Sequence, residues 1–207
     1  MQRLIALTRG VDKPHHYIRI TVGAKSDAAY WLRFLAHYNG ITPILETEWL
    51  DSRVLQFYTD ASDTGYGAYF AGEWFKGRWV DGVREMPIAV REMFAVTLAV
   101  RAWGQQLRNR KLIIWCDNQC VTYVFAKQFS KCGKLSFLLR ELVLACLNFN
   151  VLVKMQYIAS EQNFLADSLS RDEMHRFWMA APATTSPSST ETPDACAMQL
   201  ALRSANS

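Results

Sequence analysis

The apolar and polar positions of the chain predict a β-meander that is followed by alternating helices and strands. Between residues 54 and 80, three runs rich in Val, Phe, Tyr and Trp are separated by short turns, which is typical of antiparallel strands joined by hairpins. The continuously apolar segment Lys111–Cys116 indicates a strand that is buried on both faces. The elements predicted after the meander are a helix over 87–108, a strand over 111–116, a helix from about 118, a helix over 130–148, a strand over 151–158 and a short helix over 164–171.

The order of these elements, β-β-β-α-β-α-α-β-α, predicts an α/β fold. Strands that are joined through helices are expected to be parallel with right-handed connections, whereas the opening meander is antiparallel. The expected architecture is therefore one mixed five-stranded sheet, with three antiparallel strands followed by parallel ones, flanked by helices.

Two segments flank this predicted core of residues 54–178. Residues 1–53 contain one clear amphipathic helix, expected over about 26–39 with Ser26 as its N-cap. Beyond residue 178 the composition shifts to Ala, Thr, Ser and Pro, and residues 184–193 contain almost no large apolar side chain. Such a segment buries too little surface to offset the entropy of ordering it, so residues 179–207 are expected to form a disordered tail.

The composition limits the kinds of partner and cellular compartment that are expected for the protein. Half of the 207 residues are hydrophobic and the net charge is +4, a globular profile that permits a nucleic-acid partner without demonstrating one. The apolar runs are much shorter than the ~20 residues that a membrane span needs, so no membrane association is expected. Five cysteines without a Cys-x-x-Cys pair indicate reduced thiols in an intracellular protein, cytoplasmic or nuclear, and argue against both a disulfide framework and a zinc site.

Four carboxylates occupy positions that suggest a shared site. Asp60 and Asp117 each follow a hydrophobic strand, Glu92 shares the side of its helix that meets the sheet, and Asp167 lies in the last helix. Taken singly, each has a structural role as an alternative: a turn for Asp60, an N-cap for Asp117, a favourable helix-dipole contact for Glu92, and a solvated charge for Asp167. Taken together, they would repel one another at one edge of the sheet unless hard divalent cations such as Mg²⁺ bound them. Two such ions are a known arrangement for phosphodiester hydrolysis.

These acids lie in motifs that resemble those of ribonuclease H. The motifs are Thr59-Asp60-Ala61-Ser62, Arg91-Glu92-Met93, Cys116-Asp117-Asn118-Gln119 and Asn163-x-x-x-Asp167-Ser168-Leu169-Ser170-Arg171. They follow the order of the family's Asp-Glu-Asp-Asp motifs over roughly residues 54–171. The Asn-x-x-Ala-Asp-x-Leu-Ser-Arg ending is most similar to the ribonuclease H domain of reverse transcriptases from gypsy-like and DIRS-like retroelements.

The resemblance implies a ribonuclease H fold and endonucleolytic cleavage of the RNA strand of an RNA–DNA hybrid. The catalytic and metal-binding residues that it implies are Asp60, Glu92, Asp117 and Asp167, which would hold two Mg²⁺ ions with Mn²⁺ as a substitute. The substrate-binding residues that it implies are Ser62, Asn118, Gln119 and Asn163. Residues 1–53 become the connecting segment after a polymerase that this chain lacks, and the polymerase part of the parent polyprotein becomes an expected partner.

Several alternatives stay open from the sequence. Capping of the following helix competes with substrate binding as the role of Asn118. The loop before Asp167 lacks the histidine of cellular family members, which predicts slower turnover. Seven basic residues are candidates for phosphate contacts or for an ordinary solvated surface: Arg101, Arg108, Arg110, Lys111, Lys127, Lys131 and Lys134. The main alternative function is a non-catalytic ribonuclease-H-like module of the connection type, which binds nucleic acid or serves as a structural support.

Overall fold

The computed structural model describes residues 2–11, 13, 15–38, 48–159, 162–192 and 194–205. The chain divides into two compact units, residues 1–42 and 43–207. The first unit contains helices α1, Gln2–Leu7, and α2, Val22–Leu35. Helix α2 begins earlier than the predicted 26–39 because Thr21, and not Ser26, is its N-cap: the Thr21 hydroxyl accepts a hydrogen bond from the Ala24 N–H at 3.3 Å.

The second unit contains all of the strands that the structure describes. Its elements are β1, Trp49–Asp51; β2, Phe57–Ala61; β3, Gly65–Phe70; β4, Glu73–Arg78; α3, Ile88–Trp103; β5, Lys111–Cys116; α4, Gln119–Lys127; α5, Gly133–Phe149; β6, Leu152–Tyr157; α6, Phe164–Ser170; α7, Met174–Ala180; and α8, Asp194–Ser204. Every strand and helix predicted between residues 57 and 171 is present, with ends that differ by a few residues.

The strands form two three-stranded sheets in place of the single five-stranded sheet that the sequence predicts. Strands β2, β3 and β4 make the predicted antiparallel meander, and β1, β5 and β6 make a parallel sheet in the order β1-β5-β6. The unpredicted strand β1 pairs with β5, where Trp49 lies beside Lys111. The turn over 52–56 then separates β1 from β2, so within the described residues no ladder joins β2 to β5. Strand β1 lies before residue 54, inside the segment that the sequence assigns to the connection.

Helix α3 lies at the centre of the second unit and packs against β2, β3 and α5. Its residues from 89 to 100 are all buried. Near its end, the Trp103 ring lies 5.0–6.0 Å from the rings of Phe57, Phe70 and Phe75. Aromatic contacts at this spacing add stability beyond the burial of their area, so they fix α3 against the meander and thereby fix the position of Glu92.

The prediction of a disordered tail over 179–207 is wrong for most of that segment. Residues 184–190 run along the outer edge of β4, where the Thr190 N–H donates to the Trp74 carbonyl at 2.6 Å and Trp74 Nε1 donates to the Ser186 carbonyl at 2.9 Å. The backbone of this Ser- and Thr-rich segment is therefore stabilised by an edge strand and needs few apolar side chains of its own.

Helix α8 completes this covering of the edge. Its buried side chains include Ala195, Met198 and Leu202. The buried Gln199 accepts from the Val80 N–H at 2.8 Å and donates to the Arg78 carbonyl at 3.2 Å, so its amide continues the hydrogen bonding of the strand end. Within the part of the chain that is described, no helix has both the length and the apolar character needed to cross a membrane.

Candidate metal centre

Four elements bring the four predicted carboxylates together. Asp60 comes from β2, Glu92 from α3, Asp117 from the end of β5, and Asp167 from α6. The charges of Asp117 and Asp167 both act on Asp60, and those of Asp60 and Asp117 both act on Glu92. Asp60 and Glu92 are only 6% and 3% exposed, whereas Asp117 and Asp167 are half-buried. The centre therefore has a deep side formed by two acids and an outer side formed by the other two.

Asp60 is held in place by hydrogen bonds from the segment around α6. Its Oδ2 accepts from the Ser170 hydroxyl at 2.5 Å, and its Oδ1 lies 3.4 Å from Asn163 Nδ2, which also donates to the Thr59 carbonyl at 2.7 Å. Burial raises the pKa of Asp60 to about 7; the Ser170 hydrogen bond opposes this rise, and the charges of Asp117 and Asp167 add to it. The carboxylate is thus fixed in orientation but is costly to ionise without a cation.

Glu92 is the most buried of the four acids and the least satisfied. Its Oε1 accepts from the Ala61 N–H at 3.2 Å, while Oε2 is buried and has no hydrogen-bond partner among the described residues. Burial, followed by the charges of Asp60 and Asp117, raises the pKa of Glu92 well above its ordinary value. A buried carboxylate oxygen without a partner is unfavourable, and a bound cation would remove that cost.

Asp117 contributes to a compact group of possible ligand atoms. One atom each from Glu92, Cys116 and Asp117 lies within 4.8 Å of the other two. Cys116 is the last residue of β5 and is 4% exposed. Sequence reasoning did not select this thiol, because it recognises cysteine ligands by their spacing along the chain and here the partners come from another element.

Asp167 is neutralised by two arginines. Its Oδ1 accepts from Arg171 Nε at 2.6 Å and its Oδ2 accepts from Arg176 at 2.8 Å. The side chains of Arg171 and Arg176 are 53% and 41% exposed, so both guanidinium groups also face solvent. Arg176 lies over the Phe164 ring, with its guanidinium carbon 4.2 Å from the ring centroid. A cation at Asp167 must therefore compete with two positive side chains of the chain itself.

The predicted substrate-binding residues differ in how accessible they are. Ser62 and Asn163 are buried, and the Ser62 hydroxyl donates to the Ser170 carbonyl at 2.7 Å while it accepts from the Gly65 N–H. Asn118 Oδ1 caps α4 by accepting from the N–H groups of residues 120 and 121, as its structural alternative predicts. Gln119 is exposed at the start of α4. Of the four side chains, only that of Gln119 lies fully open to a ligand, and substrate binding by all four stays a prediction.

Two residues that the sequence analysis did not select bring the parts of the centre together. Gly67 pairs with Asp60 across the meander, and a Cβ atom on it would lie 2.4 Å from Leu169 Cβ and 2.7 Å from the Ser170 nitrogen. Glycine inside a strand is the available sequence signal for such a close approach of backbone. The buried Arg91 donates to the Ser62 carbonyl at 2.7 Å and pairs with Asp63 at 2.8 Å, which ties α3 to the hairpin turn beside the centre.

One of the candidate phosphate contacts has a structural role. Arg101 pairs with Glu141 at 3.0 Å and with Asp194 at 2.7 Å, so it links α3 to α5 and α8. Two exposed basic side chains, Arg171 and Arg176, do lie beside a carboxylate of the centre, and the sequence analysis did not place them among the phosphate contacts.

No protein-family model matches the sequence, and no curated protein is similar to it. Among solved structures, the chain is similar to an N-terminal RNase H domain from Mycobacterium tuberculosis, solved as a fusion with maltose-binding protein. The two share 17% sequence identity with a TM-score of 0.45, over 61% of this chain and 96% of that chain.

Proposed function

We propose that the protein is a ribonuclease-H-like, metal-dependent endonuclease that hydrolyses the RNA strand of RNA–DNA hybrids, as part of a retroelement reverse transcriptase polyprotein. The single observation that carries the proposal is the buried Glu92 oxygen without a partner, next to Asp60 and Asp117. Carboxylates in such a cluster are favourable only when protons or cations neutralise them.

The residues of the centre fit a hard divalent cation. All four acids offer oxygen atoms, which Mg²⁺ and Mn²⁺ prefer, and the unpartnered Glu92 Oε2 supplies an oxygen that the fold leaves available. Asp60, Glu92, Asp117 and Asp167 would hold two such ions, which supply an activated water and stabilise the departing 3′-oxygen in a phosphodiester displacement.

The chain itself supplies the fixed geometry around these acids. Ser170 and Asn163 orient Asp60, the Ala61 N–H orients Glu92, and Arg171 and Arg176 orient Asp167. Because the partners of Asp60 and Glu92 are buried between packed strands and helices, these two carboxylates need little reorganisation when the reaction takes place.

The rim of the centre suits a nucleic-acid backbone. Arg171 and Arg176 present exposed guanidinium groups beside Asp167, and guanidinium groups bind phosphates well. Gln119 presents an exposed amide at the start of α4, two residues after Asp117, and such an amide would bind a 2′-hydroxyl or a base edge in the minor groove. Such contacts support an RNA–DNA hybrid as the partner, and the resemblance of the motifs supports the polymerase part of a parent polyprotein as a second one.

One observation favours a second candidate, the non-catalytic module of the connection type. Asp167 is fully paired by two arginines and needs no metal for its own stability. A structural module would leave all four acids satisfied in this way. Glu92 is not satisfied by the described residues, and this difference favours the enzyme.

The test is cleavage of a labelled RNA–DNA hybrid by the full chain, with Mg²⁺ and with a chelator. We expect cleavage of the RNA strand alone, dependent on metal and reduced more than about a hundredfold in Asp117→Asn, since even changes behind the ligand shell cost about 10- to 100-fold. The matched control is Asp81→Asn, at an exposed aspartate in the loop before α3. Equal activity in chelator would refute the metal mechanism, and tight hybrid binding without cleavage in Mg²⁺ would support the structural module.

A further inference from the structure

We propose that Cys116, Glu92 and Asp117 form a mixed thiolate and carboxylate site for a thiophilic divalent cation such as Zn²⁺ or Cd²⁺. We further propose that such an ion excludes Mg²⁺ and so inhibits the centre. The binding site follows from geometry alone, while the inhibition rests on the proposed nuclease function.

The three ligands are already gathered by the fold. Cys116 ends β5, and burial alternates along this strand so that Leu112, Ile114 and Cys116 are the buried residues. Asp117 follows directly, and α3 contributes Glu92. One ligand atom from each of the three lies within 4.8 Å of the other two, although Glu92 is distant from Cys116 in the chain.

The Glu92 carboxylate is a second observation in favour of a cation site. It is 3% exposed, its Oε1 is bonded to the Ala61 N–H, and its Oε2 has no hydrogen-bond partner among the described residues. An ion between Glu92, the thiol and Asp117 would supply the partner that Oε2 lacks. No other buried carboxylate oxygen in the described part of the chain is left without a hydrogen bond.

The sulfur atom determines which ions this site prefers. Mg²⁺ binds oxygen ligands and retains water, whereas cysteine thiolates favour Zn²⁺ and softer cations. Zinc binds sulfur at about 2.3 Å and carboxylate oxygen at about 2.0–2.2 Å, so ligands of a tetrahedral ion lie about 3.5 Å apart. The widest pair in this group is at most 4.8 Å apart and would therefore need to close by at most about 1.3 Å. The thiol would release its proton to solvent.

The spacing of cysteines could not indicate this site. A zinc site is expected from sequence when Cys-x-x-Cys pairs are combined with further cysteines or histidines at a fixed spacing, and this chain has no Cys-x-x-Cys pair. Here one cysteine is supplemented by acids from a helix and a strand end, which only the folded chain brings together.

The binding test is a Cd²⁺ titration of the full chain, followed by the ultraviolet absorbance of cadmium–thiolate bonds. We compare the wild type with Cys116→Ser and with the matched control Cys120→Ser, since Cys120 is exposed on α4 and lies outside the group. The tightest absorbance step is expected in the wild type and in Cys120→Ser and to be lost in Cys116→Ser. Glu92→Gln keeps every thiol, and we expect it to weaken this step by about tenfold or more.

The result that would overturn the site is a tightest step that persists in Cys116→Ser or is unaffected by Glu92→Gln. Thermal unfolding of each variant identifies a substitution that fails to fold. If Cys116→Ser does not fold, the effect of Glu92→Gln on the tightest Cd²⁺ step alone determines whether the proposed site is correct.

The inhibition test measures hybrid cleavage at fixed Mg²⁺ with increasing Zn²⁺, expressed within each protein as the ratio to its own activity without Zn²⁺. We expect half-inhibition at a Zn²⁺ concentration about tenfold or more higher in Cys116→Ser than in Cys120→Ser. Equal sensitivity of the two variants would overturn the inhibition. An inactive wild type that still shows the Cys116-dependent Cd²⁺ step would refute the proposed nuclease function and support the thiolate site. An active enzyme without that step would support the nuclease function and refute the thiolate site.

Discussion

Gly67 lies on β3 opposite Asp60, at the point where α6 crosses the meander. A methyl group at this position would lie 2.4 Å from Leu169 Cβ, 2.7 Å from the Ser170 nitrogen and 2.9 Å from the Leu169 carbonyl carbon. Non-bonded carbon atoms are most stable about 3.5–4.0 Å apart, so Gly67→Ala requires a separation of about 1 Å between β3 and α6. Two of the three atoms belong to the α6 backbone, which cannot rotate away as a side chain can.

The consequences follow from what α6 carries. Overpacking of this kind costs about 1–3 kcal/mol, which for a protein of this size lowers the melting temperature by about 2–12 °C. The same shift moves Ser170 away from Asp60 and moves Asp167 out of place. Because a displacement of about 1 Å at a catalytic group can reduce the rate about a hundredfold, we expect activity to fall more steeply than stability.

The assay combines thermal unfolding with hybrid cleavage well below the melting temperature of the variant. The matched control is Gly23→Ala in α2, where the added methyl group meets only the flexible Arg3 side chain at 3.1 Å and helix propensity improves. We expect the control to retain both stability and activity. A Gly67→Ala protein with unchanged melting temperature and unchanged cleavage would refute the role of this contact in positioning α6.

Two further predictions concern the charges of the centre. Arg176→Gln removes one of the two cations that hold Asp167, so calorimetry should show severalfold tighter Mg²⁺ binding together with weaker hybrid binding. The matched control Arg203→Gln, at an exposed arginine in the last turn of α8, should change neither; an unchanged Mg²⁺ affinity in Arg176→Gln would contradict the competition. In the folded protein the pKa of Asp60 is about 7, above its ordinary value of 3.8, and the pKa of Glu92 is also raised. At pH values between the ordinary and the raised pKa, the folded state therefore binds more protons than the unfolded state. The melting temperature of the metal-free protein should therefore fall between about pH 4 and pH 8, and Mg²⁺ should reduce this fall; a melting temperature that rises with pH in the absence of metal would contradict it.

The sequence predicts the elements that carry the acids because each acid belongs to a local pattern. Asp60 and Asp117 end apolar strands, and the register of α3 turns Glu92 toward β2, where its Oε1 meets the Ala61 N–H. The end of a strand and the register of a helix both depend on residues within one or two turns of the acid. Periodicity and turn chemistry act over the same distance, so local reasoning is sufficient for them.

The features that the sequence did not predict all depend on contacts between distant segments. Strand β1 is only three residues long, and its pairing with β5 separates the two sheets. The described residues of the segment beyond residue 178 are ordered by hydrogen bonds to the edge of β4, which composition cannot reveal. The pairing of Asp167 with Arg176 likewise depends on the turn that joins α6 to α7. In each case the residue that stabilises the segment is brought to it by the tertiary structure and cannot be identified from the segment's own sequence.

The contrast between Asp167 and Glu92 is what distinguishes an enzyme from a structural module in this fold. A structural module needs every buried carboxylate to be neutral or paired, and Asp167 meets this condition through its two arginines. Glu92 does not meet this condition. Protonation would remove the charge of Glu92, but a proton on Oε2 would need a hydrogen-bond acceptor. Oε2 has no hydrogen-bond partner among the described residues. A cation satisfies Oε2 and the charges of Asp60 and Asp117 at the same time, whereas a proton satisfies only one of these needs. Among the described residues, the one buried carboxylate oxygen without a hydrogen bond therefore lies where metal binding would be most favourable.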